Sequence, residues 1–215
     1  MAELVYNEEG RLLFTEEMRK EYTILIPQML PIHFNFLVRA MREAGYNIEL
    51  LTTTGQSIVT QGLQSVHNDT CYPALLVIGQ CIDAIKNGGY DPHKVALFMT
   101  QTGGGCRASN YIHLLRKALE KAGLGFVPVI SLSFGLESNP GFKLTPGLIR
   151  RVIYGMMYGD IIVNVANQVR PYEVKKGSTD KLVDRWTRKL IRLFVRGKGM
   201  SRKQMRLYFK KICED

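Results

Sequence analysis

A chain of 215 residues with 46% apolar and 22% charged content is long enough to bury a core and has the composition of an ordinary globular domain. Its net charge of +10 sits at one end: residues 1–174 carry 15 Lys/Arg against 15 Asp/Glu, residues 175–215 carry 14 against 4. No apolar run is long enough to span a bilayer and the acidic start "MAELVYNEEG" is unlike a secretory leader, so a cytoplasmic setting with no membrane partner is expected.

In chain order, "YTILI" (22–26) is a β-branched apolar run closed by Pro27 and predicts a strand. Phe34, Leu37, Val38 and Met41 recur at helical spacing, with Gly45 as a stop. "NIELLT" (47–52) predicts a second strand, and 53–66 reads as a loop with a short helix at 56–64. After "HNDTCYP" a helix carries Ala74, Val77, Ile78, Cys81, Ile82 and Ile85 on one face, with Gln80, Asp83 and Lys86 elsewhere. Pro73 suits its first turn, and Asp69 or Thr70 is the expected cap.

"KVALFMT" (94–100) predicts a buried strand that runs into a glycine loop. A helix with Tyr111, Leu114, Leu115, Ala118, Leu119 and Ala122 on one stripe follows, and then the strand "FVPVISL" (126–132). Residues 145–168 predict a core helix broken near Gly159. An amphipathic helix is expected at 179–195, with Leu182, Trp186, Leu190 and Phe194, and a short basic helix after it. Strands alternating with helices predict an α/β fold: an open, mainly parallel Rossmann-like sheet with helices on both faces and a basic helical C-terminal segment. Such sheets bind ligands beyond the carboxyl ends of their strands.

Four cysteines, at 71, 81, 106 and 213, are too sparse for a disulfide framework, so reduced thiols or metal ligands are expected. Cys81 falls on an apolar stripe and reads as core, and Cys213 as incidental. Cys71 and Cys106 each stand just before a helix, where free N–H groups and the dipole favour a thiolate. Arg107 adds positive charge beside Cys106, and Gly103, Gly104 and Gly105 let backbone approach a bulky group or donate to sulfur. No Gly-Lys-Ser/Thr follows those glycines and the dinucleotide spacing is absent. His67 reads as a loop donor and His113 as a surface residue, so neither is an evident partner for a nucleophilic thiol. Two thiols are too few for a closed four-thiolate site and suit an incompletely protein-ligated cluster.

The runs "HNDTCYPALLVIGQCIDAIKNGGYD", "MTQTGGGCRASNYIHLLRKALEKAGL", "VPVISL", "NPGFKLT" and "VRPYEVKKGS" resemble one family. They are similar to the large activase-type relatives of 2-hydroxyacyl-CoA dehydratase, a group that includes 2-hydroxyglutaryl-CoA dehydratase and its activator. The likeness covers about residues 20–187. It implies a dehydratase-like domain holding an iron–sulfur cluster, of the 4Fe–4S kind, with Cys71 and Cys106 facing it and Gly103, Gly104, Gly105 and Arg107 alongside. It further implies an ATPase activase module that delivers low-potential electrons, and a CoA thioester or another small molecule that receives them.

The large relatives continue upstream into the ATPase module and downstream into further dehydratase-like sequence, where a third cysteine ligand is expected. Residues 1–174 are accordingly read as the dehydratase-like domain and 175–215 as a basic extension toward a further domain, in a fragment, an expressed domain or a split subunit. Any cluster on this chain alone is expected to be labile, and the chain inactive by itself. Two alternatives stand beside this reading. One is a cluster-free interaction or scaffold domain; the other is binding of an anionic ligand, with nucleic acid the less expected case, through the basic segment.

Overall fold

The computed structural model describes residues 2–67, 69–100, 107–132 and 139–215, except for the side chains of Arg107, Ala108 and Leu132. The elements in order are α1 (Glu16–Glu21), β1 (Thr23–Ile26), α2 (Pro31–Glu43), β2 (Ile48–Leu50), α3 (Gln56–Ser65), α4 (Tyr72–Asn87), β3 (Val95–Thr100), α5 (Tyr111–Lys121), β4 (Val129–Leu132), α6 (Pro146–Val169), α7 (Ser178–Val195) and α8 (Arg202–Glu214). They form two compact units: residues 1–29 with 46–143, and residues 30–45 with 144–215. Position 174, where the sequence suggested a boundary, falls inside the second.

The first unit is an open α/β sheet, all parallel, in the order β2-β1-β3-β4. Register pairs Ile24 with both Ile48 and Ala96, and Leu97 with Val129. β1 and β3 lie in the middle and are buried nearly throughout, which is why they read as unbroken apolar runs. Leu25, Leu97 and Met99 share one apolar cluster with Ile78 and Ile82 of α4 and Leu115 of α5.

Helix α4 lies under α3 with almost no separation. A Cβ on Gly79 would stand 2.0 Å from the Ile58 carbonyl oxygen, and one on Gly62 would stand 2.5 Å from that of Leu75. Only residues without side chains permit such an approach. Covered by α3 as well as the sheet, α4 has no wet side over its middle turns. Gln80 and Asp83 are therefore buried, where the helical pattern had set them on a polar face. Each is satisfied: Asp83 accepts from Asn87 Nδ2 at 2.8 Å and from Ser57 Oγ at 3.4 Å. The helix also starts one or two residues later than the cap expectation required. Cys71, not Asp69 or Thr70, occupies the N-cap position.

The second unit is helical. Around the fully buried Tyr158 of α6 gather Phe36 of α2, Trp186, Leu190 and Phe194 of α7, and Ile212 of α8. The Tyr158 hydroxyl donates to the Gly199 carbonyl at 2.9 Å. Helix α6 is continuous, and the expected break near Gly159 is absent. Gly155 and Gly159, one turn apart, face α2 instead: a Cβ would stand 2.8 Å from Phe36 Cβ and 2.4 Å from His33 Cδ2. These glycines seat one helix on another. His33, buried in that seam, holds Asp160 Oδ1 at 3.0 Å through Nε2. Helices α7 and α8, which carry the basic excess, bury an apolar stripe in this same core.

Candidate functional site

The strand order reverses between β1 and β3: from β1 the chain builds outward to β2, then returns to the other side of β1 and continues to β4. In open parallel sheets a ligand crevice forms at such a point, beyond the carboxyl ends of the two strands. Here the chain leaves β1 into Pro27, Gln28 and Met29, and leaves β3 at Thr100 toward the glycine run. The Thr100 hydroxyl stands 3.7 Å from the Met29 sulfur.

Gln80 fixes this edge from below. Its Oε1 accepts from the Gln28 N–H at 2.9 Å, and its Nε2 donates to the Thr53 carbonyl at 2.7 Å. One buried amide thus ties the loop after β1 to the loop after β2, satisfying backbone groups that strand pairing leaves open. A glutamine between Gly79 and Cys81 in so apolar a helix was the signal for it in the sequence.

Cys71 stands at the start of α4. Its thiol is free and partly buried, and its sulfur lies 3.5 Å from the Tyr111 hydroxyl. Tyr111 is the first residue of α5 and mostly buried; the apolar stripe of that helix concealed its polar contact. The thiol is thereby next to the helix that follows the glycine loop. Between the two helix starts is a hollow of about 310 Å³ lined by His67, Asp69, Thr70, Asn110 and Leu114. His67 is exposed, and its Nδ1 accepts from the Asp69 N–H at 3.3 Å, so it serves this loop as an acceptor where a donor was expected.

Gly103, Gly104, Gly105 and Cys106 lie outside the described residues. Arg107 opens a single 3₁₀ turn, Arg107–Asn110, that leads into α5. The other cysteines are separate from this edge in character. Cys81 is fully buried in the apolar cluster, and burial pushes its thiol far above the ordinary range, so it stays protonated and inert. Cys213 is exposed on the last helix. Among the described residues no three His, Cys, Asp or Glu side chains come together as a metal site, and no helix is long and apolar enough to cross a membrane.

The arrangement described is one partly exposed sulfur at a helix start, with a hydroxyl against it, at the carboxyl edge of a parallel sheet. Comparison with family models, with curated proteins and with solved structures gives no match.

Proposed function

We propose that this chain is a dehydratase-type redox module whose Cys71 and Cys106 supply part of an iron–sulfur site. The observation that carries the reading is the reversal of strand order: β3, one of its two strands, ends at Thr100, and in the sequence Gly103, Gly104, Gly105 and Cys106 follow within six residues. Cys71 supports it from the neighbouring helix start. The described residues fit one corner of such a site: a free sulfur, partly open, at the positive end of α4 and within reach of a hydroxyl.

When bound, such a cluster supplies one-electron transfer at low potential. The protein's own part is simpler. The start of α4 carries the Cys71 sulfur, Tyr111 orients it by hydrogen bonding, and the Gln80 amide holds the loops of this edge in place. The partners this reading requires are an ATPase module as electron donor and a further dehydratase-like domain, with a CoA thioester or another small molecule as acceptor. A cytoplasmic setting keeps both thiols reduced.

Anaerobic reconstitution with iron and sulfide, followed by gel filtration and iron assay, tests the proposal. Iron should be bound by the wild-type chain, be stripped by a chelator, and be lost in Cys71→Ala and Cys106→Ala. Cys81→Ala should keep it, at a stability loss of about 1 kcal/mol. Iron uptake indifferent to Cys71 and Cys106 would overturn the assignment. About four irons per chain held against a chelator would show that the ligand set is complete without further domains.

A further inference from the structure

Away from the carboxyl edge, the first unit has a cleft of about 540 Å³, well within the range of small-molecule sites. One wall is an N-terminal hairpin. It is closed by the Tyr6–Leu12 bridge and by the Leu13 N–H donating to the Val5 carbonyl at 2.9 Å. Its turn is held by Asn7, whose Oδ1 accepts from the Arg11 N–H at 2.8 Å, and by Gly10 at φ 75°. Arg11 is therefore carried on a fixed turn and not on a loose terminus.

The facing wall is the outer side of α5. His113, Arg116, Lys117 and Glu120 follow one another at i, i+3, i+4 and i+7, opposite the buried Ile112 and Leu115. Gly125, Val127 and Val129, at the amino end of the edge strand β4, make the floor. Arg116 is anchored there, its Nη2 donating to the Val129 carbonyl at 3.5 Å.

We infer that this cleft binds a phosphate ester of nucleotide size. Arg11, Arg116 and Lys117 line one space with three cationic side chains, a set matched to the charge of a phosphate. His113 adds a ring N–H as a further donor. Glu9 and Glu120 line the same cleft, and a bare anion would gain nothing from them. Sugar hydroxyls would, because a carboxylate accepts what they donate. The Tyr6 ring, 53% exposed at the rim, offers a flat face for a planar base. The site is independent of the thiols, and its ligand needs neither cluster nor electron.

The test is amide NMR on the full chain at low ionic strength, with adenosine monophosphate, ribose 5-phosphate, inorganic phosphate and adenosine as probes. Adenosine monophosphate should saturate with shifts centred on Gly10 and Gly125, and adenosine should bind at least about tenfold more weakly. Lys117→Gln, at an exposed position that leaves the fold alone, should weaken the nucleotide by about tenfold, as should Arg116→Gln where it folds. Three results would overturn the inference: no saturation at millimolar nucleotide, shifts elsewhere in the chain, or affinity unmoved by Lys117→Gln. Inorganic phosphate binding as tightly as the nucleotide would reduce the cleft to a plain anion site and sink the ester.

Discussion

One side chain supplies the cap that the N-terminal position of α7 cannot. The first residue before α7 is Gly177 at φ 82°, which has no side chain to cap a helix. Glu173 does the capping from four residues upstream, accepting from the Gly177 N–H at 2.6 Å and the Thr179 N–H at 3.0 Å. Those donors, Gly177 first, hold its carboxyl at about 2, below the ordinary range. A depressed carboxylate contributes stability that is complete above its unfolded value, near 4.3, and is lost as pH falls through the folded one. Glu173→Gln should therefore be less stable than wild type by a constant amount above about pH 4.5, with the gap closing as pH drops toward 2. Paired urea titrations across that range check it, and a gap as large at pH 2 as at pH 6 would contradict the cap. Nothing in "YEVKKGST" marks this role, because it depends on a turn that returns the carboxylate to the helix start. Cys71 was legible, since its place before Pro73 and an apolar run marks a helix start. Tyr111 was not, since it looked like part of its helix's stripe; Gln80 stood out only as a lone amide in an apolar helix, and its partners, distant in sequence, were not readable.

Among the elements, the helices were read closely and their contacts hardly at all. Periodicity located α2, α4, α5, α6 and α7 to within a few residues, because each buries one face and pattern reports burial. The short α1 went unread, although Thr15 caps it by accepting from the Met18 N–H at 3.2 Å, with Glu16 and Glu17 in its first turn. Gly159 was read as a break because glycine lowers helix propensity, and a sequence does not say that another helix presses there. Three glycines, two in the seams and one outside them, give a graded test. Gly79→Ala drives a methyl group against the Ile58 backbone oxygen and should cost about 3 kcal/mol or more. Gly159→Ala meets the His33 ring, a side chain with limited freedom to shift, and should cost about 1 kcal/mol net of the helix propensity gained. Gly147→Ala, whose nearest neighbour is the end of the Arg151 side chain at 3.6 Å, should be neutral or stabilise by about 0.5 kcal/mol. Urea midpoints ranked in any other order would mean that the close approaches are not what these glycines serve.

For the molecule as a whole, the charge asymmetry seen along the sequence follows the units. The first carries 10 Lys/Arg and 12 Asp/Glu, the second 19 and 7. The basic segment is thus the outer layer of a helical unit whose core also needs α2. A contiguous piece from 144 to 215 would lack α2 and leave the grooves at Gly155 and Gly159 empty, so it should unfold without cooperativity. Adding a peptide of residues 30–45 should raise its helicity, as circular dichroism would report; cooperative unfolding of the piece by itself would show that α2 is dispensable. The glycine seam also sets a clock. Helix α2 ends at Glu43 and α6 begins at Pro146. At translation rates of about 5–20 residues per second, the nascent chain carries α2 without its partner for roughly 5–20 s. During that interval Phe36 and its neighbours have no native surface to meet, and ribosome-bound chains of this protein should recruit chaperones most strongly between the synthesis of α2 and that of α6.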